Sequence, residues 1–181
     1  CFKKCIQLDF IHPGANFWLF VNEIYKDNYN EAFKYLETFY NNGKEQYFND
    51  ACFYMYLLSK IITIPSNYQK LLDLLLFEDF LIDNNDKRYD DINTLNTVRI
   101  NALNNNYNNA RNILLNYKNN NQTNIQINII LKILSKIIQI NKSYKNHILS
   151  LITNKKYEDL IKYISDLKTQ NDLDTTTNVI Y

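Results

Sequence analysis

The sequence predicts an all-α chain, an α-solenoid of about four antiparallel helix pairs closed by a C-terminal capping helix. Three observations carry that expectation. First, a short string returns along the chain. It reads Asn28-Tyr29-Asn30-Glu31-Ala32 with Leu36, then Asn67-Tyr68-Gln69-Lys70-Leu71 with Leu75, then Asn106-Tyr107-Asn108-Asn109-Ala110 with Leu114, and more loosely Tyr144-Lys145-Asn146-His147 with Leu151. Its tyrosines stand 39, 39 and 37 residues apart, the regularity of a repeat whose units bury their apolar faces on one another. Second, the 181 residues hold two glycines and two prolines, too few for the positive-φ turns that β-hairpins need. Third, apolar residues recur at three- and four-residue steps from Phe17 onward.

Taken in order, residues 1–15 form an N-terminal extension whose Pro13-Gly14 reads as a turn. The first pair is Phe17 to Lys26 and Tyr29 to Tyr40, with Asn28 at the N-cap between them. The second is Glu45 to Ile64, ending before Pro65, and Tyr68 to Ile82, capped by Ser66 or Asn67. The third is Arg88 to Leu103 and Tyr107 to Tyr117, hinged at Asn104-Asn105-Asn106. An Asn/Gln-rich link from Lys118 to Asn124 leads to the fourth, Ile125 to Ile140 and Tyr144 to Thr153, with Ser143 as cap. Tyr157 to Lys168 is read as the capping helix, since the end of a stack needs a polar outer face; the alternative pairs Tyr157 to Leu167 with Tyr144 to Thr153. The repeat domain therefore covers 16–168, and 169–181 is a polar tail expected to fray.

The string Tyr29-x-x-Ala32-x-x-x-Leu36, repeated as Tyr107-x-x-Ala110-x-x-x-Leu114, resembles the tetratricopeptide signature at the start of a pair's second helix. A small residue there lets two helices cross closely, while the aromatic and the leucine fill the groove between neighbouring pairs. The resemblance implies a right-handed solenoid with a concave face lined by the first helices. The chain departs from that family in two ways. Its spacing exceeds the usual 34 residues, and Phe20, Ser59, Val98 and Ser135 stand where the family carries glycine.

Composition narrows the function. Thirty asparagines, with abundant Ile, Lys and Tyr, resemble chains encoded by very AT-rich genomes, and Asn is a weak helix former, so the helices depend on packing. A net charge of +1 gives no general attraction to nucleic acid or an acidic membrane. The most apolar stretch, Ile125 to Ile140, is too short and too lysine-bearing to span a membrane. Cys1, Cys5 and Cys52 form no CxxC pair and read as free thiols of a reducing, cytoplasmic-type compartment. Lipid anchoring through Cys1 is the minority alternative. His12 and His147 are the only histidines, and neither sits at metal-ligand spacing. Two glycines cannot build a phosphate loop. No catalytic group, metal or cofactor is expected, and the chain reads as a non-enzyme.

Aligning the repeats on their tyrosines places Lys60, Arg99 and Lys136 at one equivalent position of the first helices, with Val21 there in the first unit. The resemblance implies that this position faces the groove. Tyr56 and Lys132 would flank the three cations, and Phe17 and Tyr25 would form an apolar end. Such a groove suits a protein or peptide partner bearing acidic residues or a C-terminal carboxylate. The functional expectation is an interaction scaffold or adaptor, a subunit of a larger complex. An RNA-binding helical-repeat protein is the alternative, and a peptide-sensing regulator a further one.

Overall fold

In the computed structural model, described for residues 2–43, 48–65, 67–68, 89–120 and 124–169, all regular structure is helical and the described residues contain no strand. The helices are α1 (Phe2–Leu8), α2 (Pro13–Tyr25), α3 (Tyr29–Asn42), α4 (Phe48–Ser59), α5 (Tyr89–Leu103), α6 (Tyr107–Asn120), α7 (Ile125–Thr153) and α8 (Tyr157–Thr169). Cys1, the expected helix beyond Tyr68 with Leu71 and Leu75, and the tail from residue 170 lie outside the described residues.

Pro13-Gly14 is the first turn of α2 rather than a turn ahead of it. Proline suits that place because its φ is already helical and a first-turn N–H has no intrahelical partner. His12 completes the cap, its Nδ1 accepting from the Ala15 N–H at 3.1 Å. Asn28 is the residue before α3, but its side chain does not cap the helix. Its Nδ2 instead donates back to Glu23 Oε2 at 2.8 Å. Helix α4 stops at Ser59, five residues short of the expected end, where the β-branched run Ile61-Ile62-Thr63-Ile64 leads into Pro65.

The fourth pair is corrected. Ile125 to Thr153 is one helix with no break at Asn141-Lys142-Ser143. None of those residues is a breaker of the Gly or Pro kind, and the apolar stripe Ile127, Ile130, Leu134, Ile137 resumes in step at Ile148 and Leu151. Tyr144 therefore lies inside a helix and does not begin the second helix of a fourth pair.

Thirteen residues further on, the turn into α8 at Tyr157 shares its geometry with the turns into α3 and α6. Asp27, Asn105 and Lys155 are the described non-glycine residues with positive φ, at 61°, 60° and 54°. Each ends a helix in the same way. The Asn28 N–H donates to Glu23 O and Asp27 N–H to Ile24 O; Asn106 to Asn101 and Asn105 to Ala102; Lys156 to Leu151 and Lys155 to Ile152. These are Schellman closures, with the left-handed residue at C′. The next helix begins two residues later each time, at Tyr29, Tyr107 and Tyr157.

The first two tyrosines are buried, and each phenol donates to the left-handed residue two places back. Tyr29 reaches Asp27 Oδ1 at 2.7 Å, and Tyr107 reaches Asn105 Oδ1 at 2.6 Å. Ala32, Leu36, Ala110 and Leu114 are wholly buried, so the repeated string is a packing device.

The chain divides into two compact units, Cys1–Leu134 and Ser135–Tyr181. In the first, α1 packs on α2, α2 on α3, α3 on α4, and α5 on α6. Every residue from Ala51 to Leu58 is buried, so α4 is an interior helix apolar on all faces. Ile129, Ile133 and Leu134 complete that core. In the second unit, Tyr163 of α8 meets Tyr144 and His147 of α7, with centroids 6.5 and 4.5 Å away, and Ile137, Ile148, Leu151 and Leu167 are buried.

Candidate functional site

At the start of the first unit, α1 lies along α2 and leaves an open hollow of about 460 Å³ between Phe2, Lys3, Trp18, Leu19, Val21, Asn22, Tyr25 and Ile125. Its walls follow from local geometry. Trp18, Val21 and Tyr25 stand at three- and four-residue steps and share one face of α2. Phe2 stacks on Trp18, centroids 6.0 Å apart and planes 12° apart. Phe17, on the neighbouring face, is held by Phe39 at 5.4 Å and Phe20 at 6.0 Å, so the helix is braced from behind. Trp18 and Tyr25 remain 41% and 51% exposed although they are large and aromatic. Lys3 brings one cation to the rim, and Asn22 one amide.

Two of the expected groove residues, Val21 and Tyr25, thus meet in this hollow, with Phe17 behind it. The others are placed elsewhere. Tyr56 is buried in α4, its hydroxyl donating to Ala102 O at 3.2 Å, and Lys60 Nζ sits 5.0 Å from the centre of its ring. Lys132 is paired with Asp27 at 2.9 Å. Lys136 belongs to the second unit and donates to Gln139 Oε1 at 3.5 Å.

Arg99 departs furthest from expectation. It is 5% exposed, pairs with Asp50 through Nη2, and lies 5.6 Å from the Phe53 ring centre. Asp50 also accepts from Gln126 Nε2 at 3.1 Å, so one carboxylate ties α4 to α5 and α7. A guanidinium on the first helix of a pair is as well placed to pack against an interior helix as to face a groove, and a carboxylate at Asp50 decides for the interior. Beside this cluster, burial raises the Tyr54 phenol far above its usual value, and the Asp50 charge adds to the effect.

Of the residues lining the hollow, sequence reasoning named Val21 and Tyr25 and did not name Phe2, Lys3, Trp18 or Ile125. Trp18 is the single tryptophan of the chain, and its uniqueness was the available signal. Nothing in the sequence showed that residues 2–8 form a helix laid against α2.

Among the described residues no group of His, Cys, Asp or Glu is gathered to hold a metal ion, and no helix is long and apolar enough to cross a membrane. Cys5 and Cys52 are free thiols. Burial pushes the Cys52 thiol up to about 11, which keeps it protonated and unreactive at neutral pH. No family model, curated protein or solved structure matches the chain.

Proposed function

We propose that this chain is a protein-interaction scaffold, a divergent tetratricopeptide-like array that serves as an adaptor subunit of a larger complex. It takes a partner segment by seating a bulky apolar side chain in the hollow beside Trp18, with acidic residues of that segment meeting Lys3. The hollow carries this reading. Two aromatic side chains on one helix face are left about half exposed around an open, mostly apolar cavity, and aromatic anchors of that kind dominate protein recognition. The repeated closure before Tyr29, Tyr107 and Tyr157 supports the repeat part of the reading.

Because Trp18 is the only tryptophan, its emission reports on the hollow directly. Titration with peptides carrying one Leu, Phe or Trp flanked by Asp and Glu should give a saturable blue shift. Tyr25→Ala should weaken binding roughly thirtyfold, the size of a modest hot spot. If no such peptide shifts the emission, or Tyr25→Ala binds equally well, the hollow is not the binding site. A salt-sensitive response to single-stranded RNA instead would favour nucleic-acid binding.

A further inference from the structure

The α7–α8 pair exposes apolar residues at positions that the α2–α3 and α5–α6 pairs largely bury. Leu149, Ile152, Tyr157 and Ile161 are 49%, 45%, 55% and 69% exposed. Counted from the tyrosine that follows each Schellman closure, they occupy the −8, −5, 0 and +4 positions. In the α2–α3 pair those positions are Val21, Ile24, Tyr29 and Phe33, all buried. In the α5–α6 pair they are Arg99, Ala102 and Tyr107, also buried, and Arg111, which is half-buried.

Part of the cover comes from outside the pair. Phe33 meets the Tyr68 ring edge-on at 5.6 Å, while Arg99 and Ala102 are bound by Asp50 and Tyr56 of α4. In the α7–α8 pair the residues at these positions are exposed.

We infer that this face pairs with the same face of a second copy, the two α7–α8 pairs closing into a four-helix bundle about a two-fold axis. This stands apart from the reading of the hollow. Charge selects the occupant. From Ser135 to Tyr157 the sequence has no acidic residue, and Lys142, Lys145, Lys155 and Lys156 are exposed. Helix α8 opens with exposed Glu158 and Asp159. A pair basic along one helix and acidic at the start of the other is complementary to itself when rotated so that α7 of one copy meets α8 of its mate. A strongly charged partner would meet repulsion from one of the two helices. The near-neutral chain, at +1, also raises no general barrier to self-association.

The four side chains, 45% to 69% exposed, offer an apolar patch on the order of a few hundred Å² per copy, the size at which exposed patches become functional. It is smaller than a standard interface, so the dimer should dissociate in the micromolar range.

Sedimentation equilibrium on the whole chain over a hundredfold concentration range tests this. The wild-type protein should pass from monomer to dimer. Ile161→Glu, at a position exposed enough to leave the fold intact, should raise the dimer dissociation constant at least about a hundredfold, because a carboxylate would be buried without a partner. Circular dichroism on the same samples should show unchanged helicity, and Leu149→Glu should repeat the result from the other helix. A wild-type chain that stays monomeric throughout overturns the inference. So does a dimer that survives both substitutions.

Discussion

Removing the carboxylate of Asp50 should cost more than any surface ion pair could explain. Arg99 is 6% exposed in its side chain and Asp50 29%, so the pair lies inside but near enough to water for partial relief. Asp50→Ala strands a guanidinium against Phe53 and takes the acceptor from Gln126 Nε2 as well. Breaking one side of a buried pair costs about 3–5 kcal/mol, and the partial exposure of Asp50 places this case at the low end, about 3 kcal/mol. For a chain of this size that lowers the melting temperature by roughly 6–12 °C. Replacing both partners, Asp50→Leu with Arg99→Met, should recover most of the loss, since well-packed apolar groups do about as well as a buried pair. Thermal and urea unfolding of the two single variants and the double variant form a cycle that isolates the coupling. A loss under about 1 kcal/mol for Asp50→Ala, or single losses that simply add, would refute the argument that this carboxylate ties three helices together.

Three further outcomes follow from the turns and the core. Lys155→Gly should stabilise the protein by about 0.5–1 kcal/mol, because glycine adopts the left-handed conformation that Lys155 holds at φ 54°; chemical denaturation would show the gain. Tyr107→Phe should cost about 1 kcal/mol through the lost bond to Asn105, whereas Tyr157→Phe should cost nothing measurable, since Tyr157 is exposed and Lys155 offers it no acceptor. Glu23 accepts from Lys26, Asn28 and Asn22, and the bonds from Lys26 and then Asn28 hold its pKa below the ordinary carboxylate value. A depressed folded-state pKa stabilises the fold above the unfolded value and loses that contribution as the pH falls through the folded one. The stability gap between wild type and Glu23→Gln should therefore be full at neutral pH and close in acid, as unfolding curves measured from pH 7 to pH 3 would reveal.

The helical class was legible because Gly and Pro are scarce and the apolar steps are regular, both consequences of backbone geometry that a sequence displays directly. The packing role of Tyr29, Ala32 and Leu36 was legible for the same reason. Tyrosine spacing pointed to a helix start at Tyr144, which lies inside α7, because spacing does not register what ends a helix here, a left-handed residue followed by Asn or Lys. Asn154-Lys155-Lys156-Tyr157 has the same closure as Lys26-Asp27-Asn28-Tyr29, but composition hides it, since the bonds involved are backbone bonds. The candidate site divided along a similar line. Val21 and Tyr25 share a helix face by periodicity, which a sequence reveals. Arg99 found Asp50 at a separation of 49 residues, and Phe2 found Trp18 across a turn, pairings that only the folded chain displays.

The Schellman closures also bear on the order in which the chain assembles. Each joins residues close in sequence, so the turn and the first contacts between its two helices can form with little loop entropy to overcome. The ties made by Asp50 span 49 and 76 residues and must wait until whole helix pairs diffuse together. Substitutions at Ala102 or Ala110 should therefore slow refolding, while those at Asp50 should chiefly speed unfolding.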